Sequence, residues 1–459
     1  MPRQRSKLSD AAMSGSVVLP AEFSDALKHT CKAIRSAGRL RVVSHYDADG
    51  IAAAAIISGA LVREGLQFHL TMAKGFDESL VTRLTKEGNA AVVFLDMGSG
   101  QIESLEKLEG TVMALDHHKP VRKSKTVLQV NPHFHDINGM TEACASTLSL
   151  LLAITLDPSN WNLAPIALAG MVGDRQHMGG MRGLNRQILD EASDKKFVET
   201  QKSLNLTGST VLKSISESVD PYFVGLSGRP DNVSTFLESM GVNADTPLGS
   251  LDEFYRRKLT SMLSLRLMGQ GCRPETVEEL VTEVIWIPSM DLNAADLADL
   301  LNACGRQDHE SLGVAMSLGD RDALEEARTL SSEYNRKLME KLMSIESDGV
   351  EQGDHIQYFN TEDASLAGAE CGIAMQYILD QSKPTLALST VGRKVKVSGR
   401  GTKYLVSKGL DLAAAMKRVA EGVKGNGGGH AVASGATISV GKKDEFIKAM
   451  DDIVGKQLA

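Results

Sequence analysis

From Leu40 the chain alternates between short, continuously apolar runs and longer stretches with helical periodicity: LRVVSH, IAAAAIISGALVREG, LQFHLTMA, DESLVTRLTKEG, AAVVFLD, QIESLEKLE and TVMALD. Strand and helix alternating at this pitch predicts a parallel sheet with helices on its faces. Strands apolar throughout fit a sheet covered on both sides. In such sheets ligands bind at the carboxyl ends of the strands, and there the polar residues cluster. VVSH runs into YDADG, VVFL ends at Asp96, and VMAL stops on Asp116, His117 and His118. The mostly helical stretch WNLAPIALAGMVGD has Pro165 near its start and ends on Gly173 and Asp174, supplying a further acid.

Residues 201–320 change character. A polar segment with Gly228 and Pro230, a helix around VSTFLESMG, another through the 250s and 260s, the run TEVIWI, a helix around AADLADLLNA and LGVAMSL read together as an inserted α/β module. Residues 321–347 read as a long amphipathic helix connecting two lobes. Residues 348–459 follow a β, α, β, β, α pattern that ends in GNGGGHAVASGATISV. A chain of 459 residues exceeds one compact core. The expected organisation is a disordered tail at 1–20, an α/β domain at 21–200, the inserted module, the connecting helix, and a smaller α/β domain across a cleft.

Hydrophobic content of 42% and charged content of 24% are those of a folded soluble chain, which excludes fibrous and disordered classes. No run is long enough to span a bilayer, and MPRQRSKLSDAAMSGSVVLP lacks the apolar core of a secretion signal, so a cytoplasmic location without a membrane partner is expected. Five scattered cysteines, Cys31, Cys144, Cys272, Cys304 and Cys371, have no paired spacing and read as small buried residues. Net charge is −8, which by itself argues against a nucleic-acid partner. The distribution reverses that argument. Residues 391–430 hold nine bases against two acids, and residues 271–310 nine acids against two bases. One segment suits anions and another repels them.

The aspartates of YDADG, spaced i and i+2, would share one side of an extended strand, and a turn at Gly50 would let Asp47 and Asp49 face one pocket. With Asp96, His117 and Asp174 at the same sheet edge, five or six carboxylates and imidazoles share a small volume. Like charges that close repel strongly, so divalent metal is the simplest way to neutralise them. Carboxylate and imidazole donors without thiolate suit Mn²⁺, with Mg²⁺ the alternative. So many donors exceed one ion, and a pair of ions is the usual clamp for hydrolysing phosphate esters with an activated water. Taken alone, DADG has the composition of a plain turn; four separate segments ending in ligand-type residues do not. His133 and His135, in NPHFHD, lie well past a strand end and read as loop residues, and His177 as a weak substrate contact.

SHYDADG, FLD, ALDHHKP and GMVGD, in that order, resemble the signature segments of the DHH phosphoesterase superfamily, and NGGGHAVASG resembles the glycine-rich signature of its DHH-associated C-terminal domain. ALAGMVGDRQ, GLNRQIL and LLNACGRQDHESLGVAMSLGD further resemble archaeal RecJ-like single-strand exonucleases, so the resemblance covers nearly everything from residue 38 onward. It implies that His45 and Asp47 serve one ion, that Asp49, His117 and Asp174 serve the other, and that Asp96 bridges both. It places His118 at the scissile phosphate with Asp116 orienting the ligands. Ser398 and Arg400 in KVSGRG, with Gly427, Gly428, Gly429 and His430, would grip substrate, the glycines bringing backbone amides to phosphate. The implied activity is removal of nucleotides from single-stranded DNA or RNA. Two alternatives are a hydrolase of very short oligonucleotides or cyclic dinucleotides, and a scaffold docking on replication proteins such as GINS through the acidic insertion.

Overall fold

The structure, a computed structural model, describes residues 12–14 and 17–459. By its internal contacts the chain divides into two units, Met1–Ser203 with Thr282–Ser332, and Leu204–Val281 with Glu333–Ala459. In the first unit, helix α1 (Ala21–Ser36) precedes strand β1 (Arg39–His45), helix α2 (Ala48–Arg63), strand β2 (Gln67–Ala73), helix α3 (Glu78–Glu87) and strands β3 (Ala91–Leu95), β4 (Thr111–Leu115) and β5 (Val127–Val130). All five strands are parallel, in the order β2-β1-β3-β4-β5. The apolar runs thus form the sheet they predict. The order reverses between β1 and β3, and at such a switch point the loops part to leave a crevice outside the carboxyl ends of the strands. β5 is an element the sequence pattern did not announce, since VLQV is short and follows a polar loop rather than a helix.

Helix α2 is apolar almost all round because it is buried almost all round, with Ala52–Ala55, Ile56 and Ile57 excluded from water. It packs against α4 (Ala145–Leu156) and α5 (Ala164–Gly173). Close approach needs small residues. A Cβ on Gly173 would stand 2.5 Å from the Cβ of Ala48, and one on Gly170 would collide with the Ser146 hydroxyl. Helices α6 (Gly183–Asp194) and α7 (Ala294–Arg306) complete this side; α7 packs on α5, and Asn302 accepts a 3.3 Å hydrogen bond from the Ala48 amide.

The segment 201–320 contributes to both units: residues 204–281 pack within the second and 282–332 within the first. The acidic run 271–310 is divided in the same way. Several of its acids are occupied locally: Asp296 caps α7, Glu283 pairs with Arg186 at 3.0 Å, and Asp308 pairs with Lys74. Helix α8 (Arg321–Asp348) begins in the first unit and ends in the second. Residues 1–11, 15 and 16 of the expected disordered tail lie outside the described residues. Within the tail, Val17–Leu19 forms a strand paired with Ala12–Ser14, and Val17 and Leu19 are fully buried, which corrects the expectation there.

The second unit is built on a six-stranded sheet. Its order is Glu351–Gln352, β6 (Gln357–Thr361), β7 (Thr385–Val391), β8 (Lys394–Arg400), β10 (Ala433–Ser439) and β9 (Asn426–Gly429). β6 and β7 are parallel, joined through α9 (Ala367–Tyr377), and the remaining pairs are antiparallel. One face of the sheet forms a core with α10 (Leu412–Gly422) and α11 (Lys443–Leu458). The other forms a core with α9, the 204–281 helices and the later turns of α8. The glycine run expected to grip substrate is the edge strand β9. Among the described residues no helix is long and apolar enough to cross a membrane.

Candidate metal centre

Each strand end at the switch point delivers one polar group. β1 ends on His45, and Asp47 caps α2, accepting a 3.0 Å hydrogen bond from the Gly50 amide. Asp49 lies in the first turn of that helix, not on an extended strand, and this corrects the expectation that Asp47 and Asp49 share one side. Residues two apart on a helix do not face each other. Asp47 joins His45 and Asp96, while Asp49 turns to Cys144 and Asp174. Gly50 makes no turn either. A Cβ there would collide with the carbonyl of His45, whose neighbour Ser44 donates from its hydroxyl to the Gly50 carbonyl at 2.6 Å. The glycine therefore lets α2 start directly against the end of β1.

Asp49 is buried, and its two oxygens accept from the amides of Ala145 (2.7 Å) and Ser146 (2.9 Å) at the start of α4. Those amides carry the positive end of that helix, which suits a carboxylate. Burial, then the nearby Asp96, push the Asp49 carboxyl up. Asp96 follows β3 in a left-handed backbone conformation (φ 58°), which an aspartate tolerates better than most residues. Its Oδ2 lies 3.2 Å from Nδ1 of His45 and its Oδ1 3.3 Å from Nε2 of His117. Oδ1 is fully buried yet accepts no well-directed hydrogen bond. A buried carboxylate oxygen left so is costly unless another partner takes it up.

His117 is buried, with Nδ1 2.6 Å from the carbonyl of Gly139. A donor bond there turns Nε2 toward Asp96, where loss of its proton would leave a lone pair for an ion. His118 is the more open of the pair, its side chain 42% exposed, and its Nδ1 sits 2.7 Å from Asp116 Oδ1. Asp116 is itself held by the amides of Ser99 (2.7 Å) and His118 (3.1 Å). Asp174, at the end of α5, accepts from Gln176 Nε2 at 2.8 Å. Burial first, then Asp49 and Asp96, raise the Asp174 carboxyl to about 7.

Two ligand-type clusters share Asp96: His45 with Asp47, and His117 with His118. A third holds Asp49, Cys144 and Asp174, and within each the donor atoms lie within 4.8 Å of one another. Burial, Asp49 and Asp174 hold the Cys144 thiol well above its ordinary range, so without an ion it stays protonated. For the histidines burial works against charge. It is outweighed at His45, raised to about 11 by hydrogen bonds to Asp47 and Asp96, and at His117, raised by Asp96. Protons on the imidazoles thus balance the acids where divalent cations would. The orphaned Asp96 Oδ1 and the oxygen-plus-imidazole donor set both fit such ions.

The structure adds residues that sequence reasoning passed over. Gly139 presents its carbonyl to both His117 and Gln176, and a Cβ there would strike the His117 carbonyl. Gln176 Oε1 accepts from Asn185 (2.7 Å), whose Oδ1 accepts from Thr147 (2.6 Å). The available signal was the glutamine two places after Asp174. His133 lies behind Gly139, and His135 packs on Phe23 at 5.0 Å between ring centres.

In the second unit Ser398 and Arg400 share one face of β8. The three glycines of β9 differ in what they permit. A Cβ at Gly427 would stand 2.6 Å from the Met416 carbonyl of α10, Gly429 has φ 140°, and Gly428 has nothing within 4 Å. Gly428 is therefore the one that leaves bare backbone on the open face. His430 begins the turn to β10, its amide donating to the Ala433 carbonyl at 2.8 Å.

The DHH family N-terminal domain model matches residues 39–171, and the DHHA1 domain model matches residues 355–456. An uncharacterized protein of Methanocaldococcus jannaschii is 30% identical over 436 residues, covering 93% of this chain and 96% of that protein. The single-stranded-DNA-specific exonuclease RecJ of Thermus thermophilus is 25% identical over 281 residues, 57% of this chain and 40% of RecJ. The chain thus spans well under half of that relative. Among solved structures, CDC45 of Entamoeba histolytica superposes with TM-score 0.67 at 13% identity, covering 94% of this chain and 99% of CDC45. RecJ of Thermus thermophilus in complex with Mn²⁺ gives 0.58 at 18% identity, covering 96% of this chain and 56% of RecJ. With both domain models matched in order and a full-length relative at 30% identity, the chain belongs to the DHH superfamily of phosphoesterases as a RecJ-like member.

Proposed function

We propose that the protein is a two-metal, single-strand-specific exonuclease, with manganese the preferred ion and DNA or RNA the substrate. The observation that carries the reading is Asp96, a buried carboxylate lying between two ligand clusters with one oxygen uncommitted. His45 and Asp47 would hold one ion with Asp96; Asp49, His117 and Asp174 would hold the other. A pair of divalent ions supplies Lewis-acid polarisation of phosphoryl oxygens and lowers the pKa of water. The chain's own residues supply the rest. Asp116 fixes the His118 ring so that Nε2 faces outward, and the raised basicity of His118, from its Asp116 bond, makes it a proton donor to a phosphate or a leaving oxygen. The Ala145 and Ser146 amides hold Asp49, and the Gln176–Asn185–Thr147 chain holds Asp174. Arg400 offers a bidentate phosphate contact in the second unit. The likeness to a relative named for single-stranded DNA supports strand over dinucleotide.

Digestion of end-labelled DNA and RNA strands tests this. Protein treated with EDTA should release no nucleotides. Mn²⁺ should restore a ladder from one end on single strands, while a matching duplex stays intact. Hydrolysis that persists in EDTA would refute the metal reading. Faster turnover of a dinucleotide than of a long strand would move the protein to the short-oligonucleotide class. Restored metal with no hydrolysis of any strand would favour a scaffold.

A further inference from the structure

β8 alternates. Val395 and Val397 enter the core beneath the sheet, and Gly399 faces Met416 there. Lys394, Lys396, Ser398 and Arg400 occupy the opposite face, and both lysines are exposed. In register beside them on β10 stand Ser439, Thr437, Gly435 and Ala433, and beyond these on β9 Asn426 and Gly428. On the β10 and β9 side the floor next to the cations is therefore nearly bare, whereas on the other side Ala387 and Val391 of β7 stand in register with Ser398 and Lys394 and α9 packs on β8. No acidic residue occupies this face of the described strands. Lysines on a sheet are commonly guards on an exposed edge. β8 is not an edge; it lies between β7 and β10, where lysine is a poor strand former. Arg400 at the end of the row is seated along α9. A Cβ on Gly368 would come within 2.8 Å of its Nη2, and Nη1 donates to the Gly399 carbonyl at 3.0 Å.

We infer that this face is a track for successive phosphates of one single strand, with Ser398 and Arg400 holding one phosphate and Lys396 and Lys394 the next two. Alternate strand residues are about 6.5–7 Å apart, comparable with one nucleotide step of an extended strand. The flat, side-chain-poor floor lets the sugar–phosphate backbone lie close without reading bases, as a sequence-tolerant binder requires. The inference rests on the reading of the protein as a strand-processing enzyme and adds a length requirement. Strands long enough to reach Lys394 bind tighter than those ending at Arg400.

The test is equilibrium binding of 5′-fluorescein oligothymidylates of three and nine nucleotides to full-length protein in EDTA, across a salt series. Lys394→Gln with Lys396→Gln should weaken the nine-nucleotide strand by about tenfold and flatten its salt slope by roughly 1.4, since each single-strand phosphate contact contributes about 0.7. The three-nucleotide strand should lose much less, and Lys394→Arg with Lys396→Arg should retain both affinity and slope. An unchanged slope for the nine-nucleotide strand, or equal losses for both lengths, overturns the track. Binding in EDTA does not depend on cleavage, so a protein that binds this way yet never hydrolyses would sink the catalytic reading and leave the track standing.

Discussion

The Asp96→Asn protein is expected to fold and to lose strand hydrolysis by a factor on the order of 10³ or more, equivalent to about 4 kcal/mol of lost transition-state stabilisation. Asparagine tolerates the left-handed backbone of this position and keeps one hydrogen-bond acceptor, so the strand end stays in place. What it removes is the negative charge between the His45–Asp47 and His117–His118 clusters. Far-ultraviolet circular dichroism should match that of the parent. The informative comparison is thermal stability with and without manganese. At a hundredfold excess over its dissociation constant, an ion that binds only the folded state stabilises it by about 2.7 kcal/mol. The parent should show that rise and the Asp96→Asn protein should not. A variant that hydrolyses strands at the parental rate would remove Asp96 from the mechanism.

Gly50→Ala should cost about 3 kcal/mol or more and lower the melting temperature by roughly 6–12 °C. Two effects oppose here. Alanine is the better helix former by about 1 kcal/mol, but its Cβ would be driven into the backbone carbonyl of His45, which has no rotamer to escape through. The collision wins, because Ser44 ties the Gly50 carbonyl to β1 and the Gly50 amide ties Asp47. Moving α2 away displaces Asp47 and Asp49 together, so manganese stabilisation should fall with it. Gly38→Ala is the control: a Cβ there meets nothing within 4 Å, and the change should be neutral or slightly stabilising. Differential scanning calorimetry separates the two. A Gly50→Ala protein as stable as the parent would show that α2 can shift without penalty.

The parallel sheet was legible in the sequence because its strands are buried on both sides, which leaves continuous apolar runs that end abruptly on polar residues. The same abruptness pointed to Asp96 and to Asp116, His117 and His118. DADG was misjudged in conformation because aspartate and glycine serve turns and helix starts equally well. What decides between them is the carbonyl of His45 pressing on Gly50, a contact composition does not encode. Gly139, Gln176 and Asn185 went unnoticed for a related reason. Each also has a partner far along the chain, 22, 37 and 38 residues away, and none is a residue type that signals chemistry by itself. The run GNGGG gave no strand signal because glycine is a poor strand former. Pairing with β10 and close packing on α10 hold it as a strand nonetheless. The segment 201–320 contains mostly the elements its pattern predicts, yet hydrophobic burial assigns them to two different cores.

The most direct measurement is anomalous diffraction from crystals of the protein soaked in manganese, collected above and below the manganese edge. Two peaks should stand on either side of the Asp96 carboxylate, one beside His45 and Asp47, the other beside Asp49, His117 and Asp174. A pocket without anomalous signal, or a single peak that leaves Asp96 uncoordinated, would contradict the paired-ion centre.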